Sequence, residues 1–261
     1  MFDALGLSLR KSLALPGLVG LALALIVTTF HLRALAADPS IFVRAAPSMA
    51  DPRHTPASLR VMQPDQAYDG EYFYRLALDP LVVRDVGITL DNPSYRHQRI
   101  LYPLLVRFMS LGQDDWVPWV MVIVNVAGLA LLGLLGPRYA LDLGRPAWSG
   151  IALPLYVGFT FTLARDLSKI VQACLLVGML LALNCGRALW AAGLMALAVL
   201  ARETALLLAI ALLATAVKEW AVGSPRRVTP VAPIGSARRI TPVAAAAGAG
   251  ICCYLAVQVV L

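Results

Sequence analysis

The chain has 261 residues, of which 59% are hydrophobic and only 14% charged, with a mean hydropathy of +0.74. Soluble domains average about half apolar and about a quarter charged, so this composition excludes an ordinary soluble domain. The net charge of +7 resides in short loops between apolar runs, where arginine orients membrane segments, so no nucleic-acid partner is expected. Cys174, Cys185, Cys252 and Cys253 all fall in or beside apolar segments. They are read as buried small hydrophobes, neither a disulfide framework nor a thiolate metal site. Arginine outnumbers lysine 19 to 3 among the 22 basic residues, which with abundant Ala and Leu suggests a GC-rich bacterial source and hence the inner, cytoplasmic membrane.

In chain order, Arg10 and Lys11 precede an apolar run at 13–31, the first expected transmembrane helix. Ala34-Leu35-Ala36 offers a small-x-small cleavage site, but the apolar run is longer than a signal peptide needs and reads as an uncleaved anchor. Residues 32–115 form a long polar loop. Apolar segments follow at 116–136, opened by Trp116 and Trp119 as an interfacial belt, then at 148–163 and 170–184. The run 188–220 is too long for one span and carries Arg202-Glu203 near its middle, so it is expected to divide into two short segments there. A last segment covers 243–261. The expectation is an all-α polytopic bundle of about seven segments, a single membrane domain over 1–261. In its linker, 218–242, Arg226-Arg227-Val228-Thr229-Pro230 recurs as Arg238-Arg239-Ile240-Thr241-Pro242.

The excess of Arg and Lys in alternate short loops places the N-terminus in the cytoplasm and the 32–115 loop outside. Arg165-Asp166-Leu167-Ser168-Lys169 and Arg202-Glu203 then reach the same face as that loop. Within the loop, 38–66 is rich in Pro, Ala and Asp and reads as a spacer. A short helix is expected from Asp69, its candidate N-cap, to just before Pro80. Tyr72, Phe73 and Leu76 share one face of it, suited to lying on the membrane surface. A second amphipathic stretch is expected across 91–105.

Tyr68-Asp69-Gly70-Glu71-Tyr72-Phe73-Tyr74, Tyr95-Arg96-His97-Gln98-Arg99-Ile100-Leu101-Tyr102-Pro103 and Ala201-Arg202-Glu203-Thr204-Ala205-Leu206-Leu207 together resemble the pattern of the GT-C superfamily of membrane glycosyltransferases. The nearest likeness is to a bacterial branch of cell-surface glycopolymer formation, distantly similar to GPI mannosyltransferases. The resemblance implies a polyprenyl-phosphate-linked sugar donor, a glycan, lipid or protein acceptor, and Asp69 as the acid of the first extracytoplasmic loop. Two departures stand out. The acidic pair is Asp-Gly-Glu instead of two adjacent acids, and family members are usually longer, which suggests a fragment or a module that needs a partner subunit.

Transfer from a lipid-linked sugar phosphate requires a carboxylate to activate the acceptor hydroxyl and cations to stabilise the departing phosphate. Asp69 is the candidate base or, with Glu71 and Asp65, a ligand for a divalent metal. Arg96, His97 and Arg99 from the loop, and Arg165, Lys169 and Arg202 from the later segments, are the candidate phosphate partners. Plainer roles compete. Glu71 suits a helix first turn, His97 a loop hydrogen bond, and Arg96 and Arg99 lipid headgroups. Arg165 with Asp166 and Arg202 with Glu203 suit structural ion pairs, and Tyr72 an interfacial anchor. Two other functions compete as well: a transporter or flippase of lipid-linked sugars, and a non-catalytic subunit of a glycopolymer assembly complex. The spans show none of the internal repeats common in transporters.

Overall fold

The structure, a computed structural model, describes residues 2–34, 36–62, 68–222 and 240–260. Asp65 and the tandem Arg-Arg-x-Thr-Pro motif, apart from Ile240, Thr241 and Pro242, lie outside the described residues. Eleven α-helices account for most of the rest, and the described residues contain no strand, only an isolated antiparallel bridge between Ala50 and Ile88. Among the described residues three helices are long and apolar enough to cross a membrane, at Ala14–Arg33, Asp114–Asp142 and Pro242–Val259. They belong to α1 (Phe2–Ala34), α6 (Val117–Asp142) and α11 (Ile240–Val260). Large apolar side chains such as Ile26, Phe30, Ile123 and Val259 stand exposed along them, as expected of helices solvated by lipid.

The remaining apolar segments are shorter. α8 (Lys169–Asn184) and α9 (Ala188–Ala201) have 16 and 14 residues, about 24 and 21 Å of helix, against a hydrocarbon core of about 30 Å. The 148–163 segment is not a continuous helix. A 3-10 turn at Ala147–Ala152 and the short α7 (Val157–Leu163) replace it, with Pro154 between them removing a backbone donor. The 188–220 run divides where its charged pair predicts: α9 ends at Ala201 and α10 (Ala205–Val222) begins after Arg202-Glu203-Thr204. Gln172 on α8 holds the break, its Nε2 donating to the Arg202 carbonyl (3.3 Å) and to Thr204 Oγ1 (2.9 Å).

α1 packs on α6 where side chains vanish. A Cβ on Gly133 would stand 2.5 Å from the Pro16 carbonyl oxygen and 2.7 Å from the Gly17 Cα, so the two backbones touch. α6 in turn packs on α8, α8 on α9, and α11 against α9 and α10 through small residues including Ala191, Ala198, Ala246 and Ala247. The cysteines do not follow the expected burial. Cys174 and Cys253 are half-buried, and Cys185 and Cys252 are exposed. On α11 the packed face belongs instead to Ala246, Ala247 and Gly250, which leaves Cys252 outward.

The polar loop folds into a cap whose core it shares with the start of α6. α2 (Ser40–Val43), α3 (Asp69–Leu78), α4 (Pro93–His97) and α5 (Leu101–Met109) form it. Its first half is not a spacer: Val43, Ala45, Ala50 and Leu59 are buried with Phe73, Tyr74, Ile88, Tyr102 and Met121 in one cluster. Backbone bonds from Asp51 N to Gly87 O (2.7 Å) and Thr89 N to Met49 O (2.9 Å) join its two halves. The absence of a repeating apolar period in 38–66 hid this, because its described part, 38–62, packs through single residues and not through one helix face. α3 likewise is no surface helix. Gly70 through Leu78 are all buried, and Tyr72, Phe73 and Leu76 contact protein, not lipid headgroups. The buried Arg75 is satisfied by carbonyls of Ile88 (3.2 Å) and Arg84 (2.6 Å).

Candidate functional site

The site begins at the N-terminus of α3. Asp69 is the first helical residue, not the cap; Tyr68 holds the cap position and makes no side-chain cap bond. The Asp69 carboxylate turns outward to two arginines instead, accepting from Arg96 Nη1 at 2.8 Å and Arg99 Nη1 at 3.4 Å. Gly70 makes this placement possible. A Cβ there would lie 2.7 Å from the carbonyl oxygens of both Arg165 and Val43, so the α3 N-terminus is wedged between the α7–α8 turn and the end of α2. The Asp-Gly-Glu spacing thus has a steric cause: the middle position admits no side chain.

Arg96 and Arg99 are each committed to more than Asp69. Arg96 forks onto Asp91 through Nε and Nη2, both at 2.9 Å, and its guanidinium lies 3.7 Å from the centre of the Tyr72 ring. Arg99 forks onto Glu203 through Nε (2.8 Å) and Nη2 (2.7 Å), and Nη2 also donates to the Tyr95 hydroxyl. The result is an alternating chain, Asp91–Arg96–Asp69–Arg99–Glu203, that ties the cap to the α9–α10 break across 104 residues of sequence. Burial works against the charge of both arginines, but the facing carboxylates outweigh it and raise their pKa values. The fork from Arg96 in turn holds Asp91 below the usual carboxylate range. Paired bidentate forks are the strong geometry for arginine and carboxylate.

Glu71 stands apart from Asp69. It is fully buried and accepts from the Ala46 amide at 3.2 Å, pinning the first half of the loop to α3. Residues two apart on a helix do not share a face. Among the described residues no group of three His, Cys, Asp or Glu could hold a metal, and cations surround Asp69. The described residues therefore do not fit a divalent-metal set. His97 presents both ring nitrogens to carbonyls, Nδ1 to Pro93 (2.7 Å) and Nε2 to Pro80 (3.0 Å), so it clasps the loop and has no nitrogen left for a phosphate.

Three cations complete the site without carboxylate partners. Among the described residues, Arg165, Lys169 and Arg202 make no ion pair. The expected pairs Arg165–Asp166 and Arg202–Glu203 do not form, because Glu203 is taken by Arg99 and Asp166 turns inward to Asn125. Arg165 stacks 3.8 Å from the centre of the Phe161 ring and 5.1 Å from that of Tyr68, the neighbour of Asp69. Lys169 lies close enough to Arg202, Asp69 and Arg99 for their charges to act on it. Arg44, at the left-handed end of α2, is near enough to Arg165 for its charge to be felt.

Asp166 is fully buried in the α7–α8 turn. Its Oδ1 accepts from Asn125 Nδ2 at 3.3 Å, while its Oδ2 and the Asn125 Oδ1 have no hydrogen-bond partner. Desolvation without a facing cation pushes its pKa well above the usual range. Sequence reading did not find Asp91, Tyr95, Asn125 or Gln172 as parts of these networks. Asp91 and Tyr95 lie within the second loop motif, but a carboxylate five residues before an arginine is no signal until the α4 turn brings them together. No protein-family model, curated protein or solved structure matches this chain.

Proposed function

We propose that the protein is a membrane glycosyltransferase of GT-C type. It would transfer a sugar from a polyprenyl-phosphate-linked donor to an acceptor hydroxyl at the outer face of a bacterial inner membrane. The observation that carries this reading is the charge arrangement around Asp69. One carboxylate, a third exposed, is held by two arginines that other carboxylates neutralise, beside three cations that none neutralises. Five cations against Asp69, Asp91 and Glu203 leave two positive charges for an anionic ligand.

In this reading the acceptor O–H gives its proton to Asp69 as its oxygen attacks the anomeric carbon. The bond from that carbon to the phosphate oxygen breaks, and the phosphate leaves with the electron pair and a negative charge. Lys169, Arg202 and Arg165 face that charge, where fixed cations in a partly dehydrated site are most effective. Arg96 and Arg99 orient Asp69. The seven-segment arrangement, with α8 to α10 as short crossings, the N-terminus inside and the cap outside, belongs to the same proposal. So does a requirement for a partner subunit.

The test is transfer from labelled polyprenyl-phosphate sugars to candidate acceptors by the purified protein in nanodiscs. Asp69→Asn is expected to reduce transfer by about 10²- to 10⁴-fold, the range of a positioned general base, with elution unchanged and a smaller loss of thermal stability than Glu203→Ala, because Arg96 and Arg99 keep their forks. Full transfer by that variant would overturn the role of Asp69. Movement of the labelled lipid across vesicles with no new glycosidic bond would replace the reading with a flippase.

A further inference from the structure

Outside the site, the cap carries an apolar surface that its own fold leaves uncovered. Leu81, Val83, Phe108 and Leu111 are 82%, 79%, 78% and 82% exposed. They lie on the 81–83 loop and at the end of α5 with the turn after it, and both places include a bulky residue in the left-handed region: Val82 at φ 55° and Leu111 at φ 52°. For such residues that conformation is strained, so the surrounding structure must impose it. Asp114 is what joins the two places. It accepts from Arg84 Nη1 at 3.2 Å and Arg107 Nη1 at 2.6 Å, clamping the 81–84 loop beside the end of α5. α5 turns Tyr102 and Val106 into the cap core and leaves Leu104 and Phe108 outward.

The position of this patch identifies its occupant. Two residues after Asp114, Trp116 opens an exposed apolar stripe that runs down α6 through Trp119, Ile123, Leu131 and Leu134. Among the described residues α6 is one of three helices long and apolar enough to cross a membrane, so its exposed stripe suits lipid, and the Asp114 clamp holds the patch two residues from where that stripe begins. We infer that Leu81, Val83, Phe108 and Leu111 form a membrane-inserting wedge that seats the cap in the headgroup–acyl boundary of the bilayer α6 crosses. Loop tips in water are built from small and polar residues, whereas apolar side chains beside an interfacial tryptophan suit that boundary. The inference does not depend on glycosyl transfer.

The test uses the full chain with its four cysteines replaced by serine, a nitroxide at Leu111→Cys or Leu81→Cys, and phosphatidylcholine vesicles. Both positions are exposed, so labelling unpacks no core. Collisions with dissolved oxygen are expected to exceed those with a water-soluble nickel chelate several-fold, as at Ile123→Cys on α6, while Arg53→Cys shows the reverse. A preference for the chelate at 81 and 111 would place them in water and overturn the inference. Exclusion of both reagents would show a protein covering the patch and overturn it equally. The unsubstituted chain supplies a second measurement, with a photoactivatable phospholipid carrying its diazirine high in the acyl chain. Adducts within 81–83 and 108–111 are expected, and their absence would also overturn the wedge.

Discussion

Along one edge of the site, Asp91, Arg96, Asp69, Arg99 and Glu203 alternate in sign, and each charge has its opposite within hydrogen-bond distance or close to it. Along the other edge, Arg165, Lys169 and Arg202 share a small region with aromatic rings and one another. The paired edge fixes geometry: it joins the cap to the α9–α10 break and sets the direction of Asp69. The unpaired edge holds like charges together at a cost in repulsion, and an arriving anion relieves that cost. Charges of one type, a few residues apart, therefore have opposite effects on stability and binding. The network, not the residue type, decides which.

The largest expected effect comes from breaking the paired edge. The Arg99 side chain is 4% exposed, and Glu203→Ala removes the carboxylate that takes its fork. A buried charge left with no partner costs about 3–5 kcal/mol, and less than that is expected here because Arg99 keeps the weaker 3.4 Å contact with Asp69. Thermal unfolding in detergent should show the loss. Replacing both residues, Arg99→Met with Glu203→Met, should cost less than Glu203→Ala alone, since no orphaned charge remains. Equal costs would show that Arg99 finds solvent and that the fork does not join cap to bundle.

The unpaired edge should respond the other way. Lys169→Gln and Arg202→Gln each leave thermal stability within about 0.5 kcal/mol, as for surface changes that break no partnership. Each should weaken binding of polyprenyl phosphate roughly tenfold, the equivalent of about 1.4 kcal/mol, with the loss largest at low salt. Calorimetry in nanodiscs separates the two quantities. A variant that lost stability without losing affinity would move that cation to the structural edge.

The sequence already carried this division in part. Hydropathy located α1, α6 and α11, and the charged pair Arg202-Glu203 located the break in 188–220, because both signals are local. It did not show that 148–163 is interrupted, although Pro154 lies within it, nor that residues within 38–62 pack into a core. Placing Arg165, Lys169 and Arg202 on the face of the loop rested on charge counting, and the structure does bring Lys169 near Asp69, with Arg202 near Lys169 and Arg165 against Tyr68. What it could not supply was the pairing. Arg99 bonds Glu203 across 104 residues while Arg202, the neighbour of Glu203, does not. Side-chain direction at a helix break decides that, and no periodicity encodes it.

Asp166 is a third kind of charge site: unpaired like Lys169, but buried and therefore better off neutral. Its Oδ1 is already joined to Asn125 Nδ2, and the remaining atoms without partners are its own Oδ2 and the Asn125 Oδ1. A proton on Oδ2 supplies the one donor this pair of groups lacks. The folded pKa is raised above the unfolded value of about 3.9, so the folded chain keeps a proton that the unfolded chain releases. Stability from this group is thus full below about pH 4 and declines as pH rises toward the folded pKa. Asp166→Asn puts a permanent donor where the proton would sit. It should stabilise the fold at pH 8 and change little at pH 4, because the variant makes that bond without having to keep a proton. Melting temperatures of the two proteins across that range measure it. A constant difference would mean that Asp166 does not exchange its proton between the folded and unfolded states, and a loss of stability at pH 8 would mean that the buried turn depends on the anion.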